Sequence, residues 1–207
     1  MQTWPPQPGI SRPMIRDRWY DQQTSGVYNA LGGGVIATNT LYTLIPFTNW
    51  NLSSVSYKAI GFDVDASPAT DLDMLLGIYR DDNGQPTTKI VEVSHTILAA
   101  TPVGGVEIPL TLTLPSGVYW ILYCFDNNPV TGVRIMGWDP GTVAEGFSML
   151  GTADTEGVTS VPKHWGWVES GLTHAFPASL PDTMIGIPLA PSAGPTDRLL
   201  RMCLQVA

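Results

Sequence analysis

The sequence predicts an all-β protein, an antiparallel two-sheet β-sandwich of jelly-roll type with an extended N-terminal arm. Three observations carry that prediction. With 21 Gly and 18 Pro among 207 residues and only 14% charged, the composition is poor in helix formers and rich in turn formers. Short apolar segments recur along the chain, separated by clusters of turn residues. One segment, Val118-Tyr119-Trp120-Ile121-Leu122-Tyr123-Cys124-Phe125, is an unbroken apolar run of strand length, as expected of a strand covered on both faces.

A chain of this size buries a sizeable core and is most simply a single sandwich domain over residues 16–207, preceded by an arm over residues 1–15. The arm holds Pro5, Pro6, Pro8 and Pro13 with Trp4 and Ile10, a composition that favours an extended polyproline-like path. Two readings stand open for it. It is a disordered leader, or it lies on a neighbouring molecule, in which case Trp4, Pro5, Pro6, Pro8 and Ile10 form the attachment contacts and Trp4 is the aromatic anchor.

Beyond the arm, Arg18-Trp19-Tyr20-Asp21 leads through a polar patch to Val27, Tyr28 and Leu31. Gly32-Gly33-Gly34 is expected to break the structure there, as a loop or a close backbone approach. Thr38–Phe47 is the next strand, with Pro46 placing its end at a sheet edge. In Ser54–Asp65, Ile60, Phe62 and Val64 point inward while Asp63 and Asp65 face water.

The central stretch from Met74 to Phe125 is expected to form two facing hairpins. Met74–Arg80 returns as Thr88–Val93 across the turn cluster Asp81-Asp82-Asn83-Gly84-Gln85-Pro86. Val106–Leu114, where Leu110, Leu112 and Leu114 alternate with Thr111 and Thr113, returns as Val118–Phe125 across Pro115-Ser116-Gly117. Gly132–Trp138 is a strand closed by Asp139-Pro140-Gly141. Ala144–Leu150 is a weaker strand, Gly151–Ser160 a loop, and His164-Trp165-Gly166-Trp167 a strand with both tryptophans on one face. After the edge segment Thr183–Pro188, Asp197–Ala207 alternates Leu200, Met202, Leu204 and Val206 against polar residues, which ties the C-terminus into a sheet. No internal repeat of solenoid or propeller period is present.

Charge narrows the function classes. A net charge of −8 and a pI near 4.6 argue against a nucleic-acid backbone or an anionic membrane as partner. Arg12, Arg16 and Arg18 fall close together, but Asp17 sits among them. No apolar run of about 18 residues is present to span a bilayer, and the first residues lack the order of a secretory signal, so neither membrane insertion nor export by that route is expected. Cys124 and Cys203 both fall in expected strands and are expected as buried thiols.

Chemistry-bearing motifs are few. None of His95, His164 and His174 stands in a His-Glu-x-x-His pattern, and Gly146–Leu150 lacks the second glycine of a nucleophile elbow. No catalytic residue and no cofactor is therefore assigned. Asp63, Asp65, Asp71, Asp73, Asp81 and Asp82 cluster in one stretch, as solvent-facing strand positions and an acidic turn. Within it Asp81, Asp82 and Asn83 offer the oxygens a Ca²⁺ ion prefers, without an EF-hand loop around them. Trp138, Asp139, Trp165 and Trp167 make a candidate platform on which a sugar ring stacks, since tryptophan supplies a flat apolar face and Asp139 a polar neighbour. The alternative for these tryptophans is packing in cores and subunit contacts.

Leu76-Gly77-Ile78-Tyr79, then Asp82-Asn83-Gly84-Gln85-Pro86, then Leu114-Pro115-Ser116-Gly117-Val118-Tyr119-Trp120 follow one another in the chain. Together they resemble the "LGIY…NGxP…LxxGxYW" pattern of jelly-roll domains in tailed-bacteriophage virion proteins of the tail-fibre, head-fibre or minor structural type. Trp19-Tyr20, Leu41-Tyr42 through Pro46-Phe47, and Ile60-Gly61-Phe62-Asp63-Val64 are similar to the upstream strands of such domains. The resemblance covers roughly Arg16 to Phe125 and carries no catalytic residue. It implies a non-enzymatic protein on the surface of the phage particle, commonly a homotrimer. Such a protein is joined to other virion proteins through its arm and contacts the host surface or its glycans. A capsid decoration or head-fibre protein is the alternative, and a carbohydrate-binding module or glycan-active enzyme a further one. The tract after Asp139 matches nothing in the pattern.

Overall fold

The computed structural model describes residues 14–21, 31–36, 41–49, 51, 53–82, 85–99, 101–125, 134–138, 167–170, 187–188, 199–200 and 202–207. Regular structure among them is entirely β. The strands are β1 (Trp19–Asp21), β2 (Leu31–Ile36), β3 (Leu41–Asn49), β4 (Val55–Ala66), β5 (Leu72–Asp82), β6 (Gln85–Ile97), β7 (Gly104–Leu114) and β8 (Gly117–Phe125). They continue with β9 (Arg134–Trp138), β10 (Trp167–Ser170), β11 (Ile187–Pro188), β12 (Leu199–Leu200) and β13 (Cys203–Val206).

The pairing follows a single rule from the middle of the chain outward. β5 pairs with β6, β4 with β7, β3 with β8 and β2 with β9, all antiparallel. The chain is thus one long hairpin whose tip is the β5–β6 turn, rolled so that its paired arms fall alternately into two sheets. One sheet carries β3-β8-β5-β6, extended by β10 and β11 beyond β3; the other carries β2, β9, β4 and β7. That connectivity is the jelly roll. The C-terminal strand adds to the second sheet: β13 lies along β4 at Tyr57–Gly61, and β1 lies on β13. Because β7 occupies one edge of β4, β13 and β9 share its other edge in succession.

The core fills the space between the sheets. Met74, Leu76 and Ile78 of β5 and Tyr119, Ile121, Tyr123 and Phe125 of β8 meet Tyr57, Ile60, Phe62 and Val64 of β4 and Ile108 to Leu114 of β7. A shift of register next to Lys58 lets Tyr57 and Ile60, three residues apart, both face inward. In β7 the alternation expected from the sequence is complete, with Ile108, Leu110, Leu112 and Leu114 buried and Pro109, Thr111 and Thr113 exposed. Residues Tyr119 to Phe125 of β8 are all buried, so the strand is covered on both faces as its composition predicts.

Two expectations are corrected. Val106–Leu114 and Val118–Phe125 do not form a hairpin, since β7 pairs with β4 and β8 with β3 and β5, in the other sheet. Pro115-Ser116-Gly117 is instead a corner between sheets, and Asn49 holds it. The Asn49 side chain is 1% exposed and donates through Nδ2 to Leu114 O (2.8 Å) and Pro115 O (3.0 Å), while Ser116 Oγ donates to Asn49 O and Tyr119 Oη to Pro115 O. Gly117 has φ +154°, open to glycine and strained for other residues. The glycine triplet also does not break the chain. Leu31–Ile36 is a strand on β9, and the glycines mark a register shift between Gly32 and Val35. Pro46 stands at a sheet edge as expected: β3 lies between β8 and β10, but the described part of β10 pairs only as far as Leu44, so Pro46 faces no described strand on that side.

Candidate binding surface

The two sheets turn unlike outer faces to their surroundings. On the six-stranded sheet, the residues pointing away from the core include Leu75, Gly77 and Tyr79 of β5 and Trp120, Leu122 and Cys124 of β8, and every one is buried within the single chain. Trp120 is fully buried and donates its indole N–H to Asp81 Oδ1 at 2.7 Å. Burial raises the Tyr79 hydroxyl pKa strongly, with the Glu92 carboxylate adding to the effect. That covered part spans β5 and β8; toward the β6 edge the same face carries exposed Asp73, Glu92, Ser94 and Thr96.

On the seven-stranded sheet the outer face carries Ser56, Lys58, Gly61 and Asp63 of β4, Gly105, Glu107, Thr111 and Thr113 of β7, and Cys203 and Gln205 of β13. Most are exposed or half-buried. Trp19 of β1 belongs to the same face, since its neighbour Tyr20 packs toward the core. Its indole reaches across β13 to lie over Gly61, where a Cβ would stand 2.8 Å from Trp19 Cζ3 and 3.0 Å from Val106 O. Only glycine admits that approach, and Trp19 still remains 38% exposed.

The segment that positions Trp19 is fixed at several points. Arg18 N donates to Ile15 O across a turn in which Asp17 has φ +62°, a conformation aspartate tolerates. Asp17 N donates to Val206 O, Val206 N to Arg18 O, and Ile15 N to Tyr20 Oη. The Lys58 ammonium bonds Asp17 Oδ1 and holds that carboxyl below the usual carboxylate range. Arg16 also faces Asp17, so the basic residues near the N-terminus are met by a carboxylate. Tyr57 Oη donates to Met14 Sδ, so Met14 and Ile15, the last residues of the expected arm, already belong to the domain.

The residues singled out in the sequence fall as follows. Trp138 is on β9 in one sheet and Trp167 on β10 in the other. Their side chains, like Asp139 and Trp165, lie outside the described residues. Trp4, Pro5, Pro6, Pro8 and Ile10 also lie outside them, as does Asn83. Asp81 is occupied with the Trp120 indole, and Asp82 pairs with Gln85 at the hairpin tip. Asp71 Oδ1 accepts from Ala99 N and Asp73 Oδ1 from Thr96 Oγ1, so these carboxylates cap backbone and cross-strand positions. Among the described residues no three His, Cys, Asp or Glu side chains are grouped to hold a metal ion. Cys124 is buried, whereas Cys203 is only partly so, and neither forms a disulfide.

Sequence reasoning passed over the Trp19–Gly61 pair. A glycine between two inward-pointing apolar residues, Ile60 and Phe62, was the available signal, because a strand-interior glycine marks a close approach. Comparisons with protein-family models, with curated proteins and with solved structures return no match.

Proposed function

We propose that this chain is a non-enzymatic structural protein of a tailed-bacteriophage particle, of tail-fibre or fibre-tip type. It attaches through its N-terminal arm and presents the jelly roll to the host surface or its glycans. The observation that carries the reading is where the phage-like segments meet. Leu76-Gly77-Ile78-Tyr79 lies beside Trp120-Ile121-Leu122-Tyr123 residue for residue in the middle of one sheet, and the Asp82–Gln85 turn is the tip of the rolled hairpin. The segments thus form one connected unit of a jelly roll.

The arm's root supports its role as an appendage. Met14 to Arg18 is fastened to β13 and β4 at the margin of the second sheet, outside the paired arms of the roll. Other virion proteins are its proposed partners, and a homotrimer the proposed assembly. The trimer rests on the family resemblance, because burial of both faces of β8 is complete within one chain. Weak host contact repeated over several copies gains strength by avidity.

The test is cryo-electron microscopy of particles carrying the chain, together with a variant deleted for residues 1–13. Density at the tail tip or on fibres, lost on deletion, supports the reading. Density over the capsid lattice would replace it with a decoration or head-fibre role, and absence from particles would end it.

A further inference from the structure

We propose that the Trp19 indole, lying on Gly61, is the stacking platform of a binding site for a neutral pyranose sugar, with Asp63 and Glu107 as its hydrogen-bond acceptors. This deepens the host-glycan reading above and moves it to a surface other than Trp138, Asp139, Trp165 and Trp167. The Cζ3 and Cη2 atoms of the indole come within 3.0 Å of where a Gly61 Cβ would stand, so the missing side chain fixes the ring's place, and 38% exposure leaves Trp19 accessible from outside. A flat, fixed aromatic face is what the C–H side of a sugar ring packs on.

The polar groups stand where a stacked sugar needs them. Glu107 is the direct partner of Gly61 across the strands, and Asp63, next along the same face of β4, is the partner of Gly105. Asp63 Oδ1 lies 3.5 Å from where a Gly105 Cβ would be, so this carboxylate stands over the glycine on the same face. Neighbours on one sheet face stand about 5 to 8 Å apart, the scale of one sugar ring. Ionised carboxylates accept from hydroxyl groups and form the stronger class of hydrogen bond. Gln205, cross-strand partner of Trp19, has a buried Oε1 that accepts no hydrogen bond among the described residues. Two carboxylates at the site and a net charge of −8 select a neutral sugar over uronic, sialic or sulfated ones.

The experiment uses the full chain with its tryptophans replaced by fluorotryptophan and follows fluorine NMR, the Trp19 signal being assigned by its loss in Trp19→Phe. The probes are the methyl glycosides of glucose, galactose, mannose and N-acetylglucosamine at millimolar concentration, with glucuronate as the anionic control. The Trp19 signal is expected to move saturably with at least one neutral sugar and not with glucuronate. Glu107→Gln and Asp63→Asn, both on the solvent side of the sheet, are each expected to weaken that response about tenfold, a change of about 1.4 kcal/mol. A Trp19 signal indifferent to every neutral sugar, or equally responsive to glucuronate, overturns the proposal. Particle incorporation is scored separately. A chain found in particles with a silent Trp19 refutes the platform and spares the attachment reading; a responsive Trp19 in a chain absent from particles does the reverse.

Discussion

The outer face of the six-stranded sheet and the outer face of the seven-stranded sheet are built on the same pleat and serve opposite ends. The first places Leu75, Tyr79, Trp120, Leu122 and Cys124 side by side, all buried. The second places Lys58, Glu107, Thr111 and Thr113 in solvent, with Trp19 laid over Gly61. A sheet covered on both faces needs continuous apolar strands, and a sheet covered on one needs alternating strands. β8 and β7, neighbours in sequence, are the clearest example of each. The lesson is that the β5–β8 centre of one outer face is spent on stability, while the other outer face is open for contact.

The largest effect is expected on the covered side. Trp120→Ala removes a fully buried indole and its bond to Asp81 and should lower unfolding free energy by about 3 to 5 kcal/mol in chemical denaturation. A loss below about 1 kcal/mol would mean the face is not closed. Asn49 fastens the corner from which β8 enters the other sheet, its amide serving two carbonyls there. Asn49→Leu leaves the buried Leu114 carbonyl without that partner and should cost about 2 to 3 kcal/mol.

His95, on β6 at the margin of the covered sheet, sharpens the comparison through pH. Burial lowers its pKa below the ordinary 6.5, so the unfolded chain takes up the proton first. The stability it contributes is full above about pH 6.5 and is lost as pH falls through the lower folded-state value. Wild-type Tm should therefore decline from about pH 6.5 downward. His95→Gln should flatten that decline, and an unchanged slope would remove His95 from the explanation. The smallest effect belongs to the open face, where Thr111→Ala should stay within about 0.5 kcal/mol of wild type.

Much of this contrast was legible in the sequence, because it is written in local periodicity. The unbroken run of β8, the alternation of β7 and the Asp-Asn-Gly turn of the β5–β6 hairpin each act over a few residues. What escaped depends on distant partners. Pro115-Ser116-Gly117 looks like a hairpin turn until Asn49, 65 residues from Leu114, fastens it as a corner between sheets. Gly32-Gly33-Gly34 looks like a break until β9 supplies the ladder that orders it. Trp19 gave no local sign of exposure, since its position is set by pairing with Gln205 and by the missing side chain at Gly61.

The two cysteines report on the two faces, which makes thiol accessibility the most direct test. Cys124 stands on the outer face of the six-stranded sheet at 3% exposure, and Cys203 on the outer face of the seven-stranded sheet, partly accessible. Native full-length chain is treated with an alkylating reagent, and each site is quantified by mass spectrometry before and after denaturation. The predicted result is alkylation of Cys203 in the native protein and of Cys124 only after unfolding. Equal native labelling of both, or labelling of Cys124 ahead of Cys203, would contradict the division into one closed face and one open one.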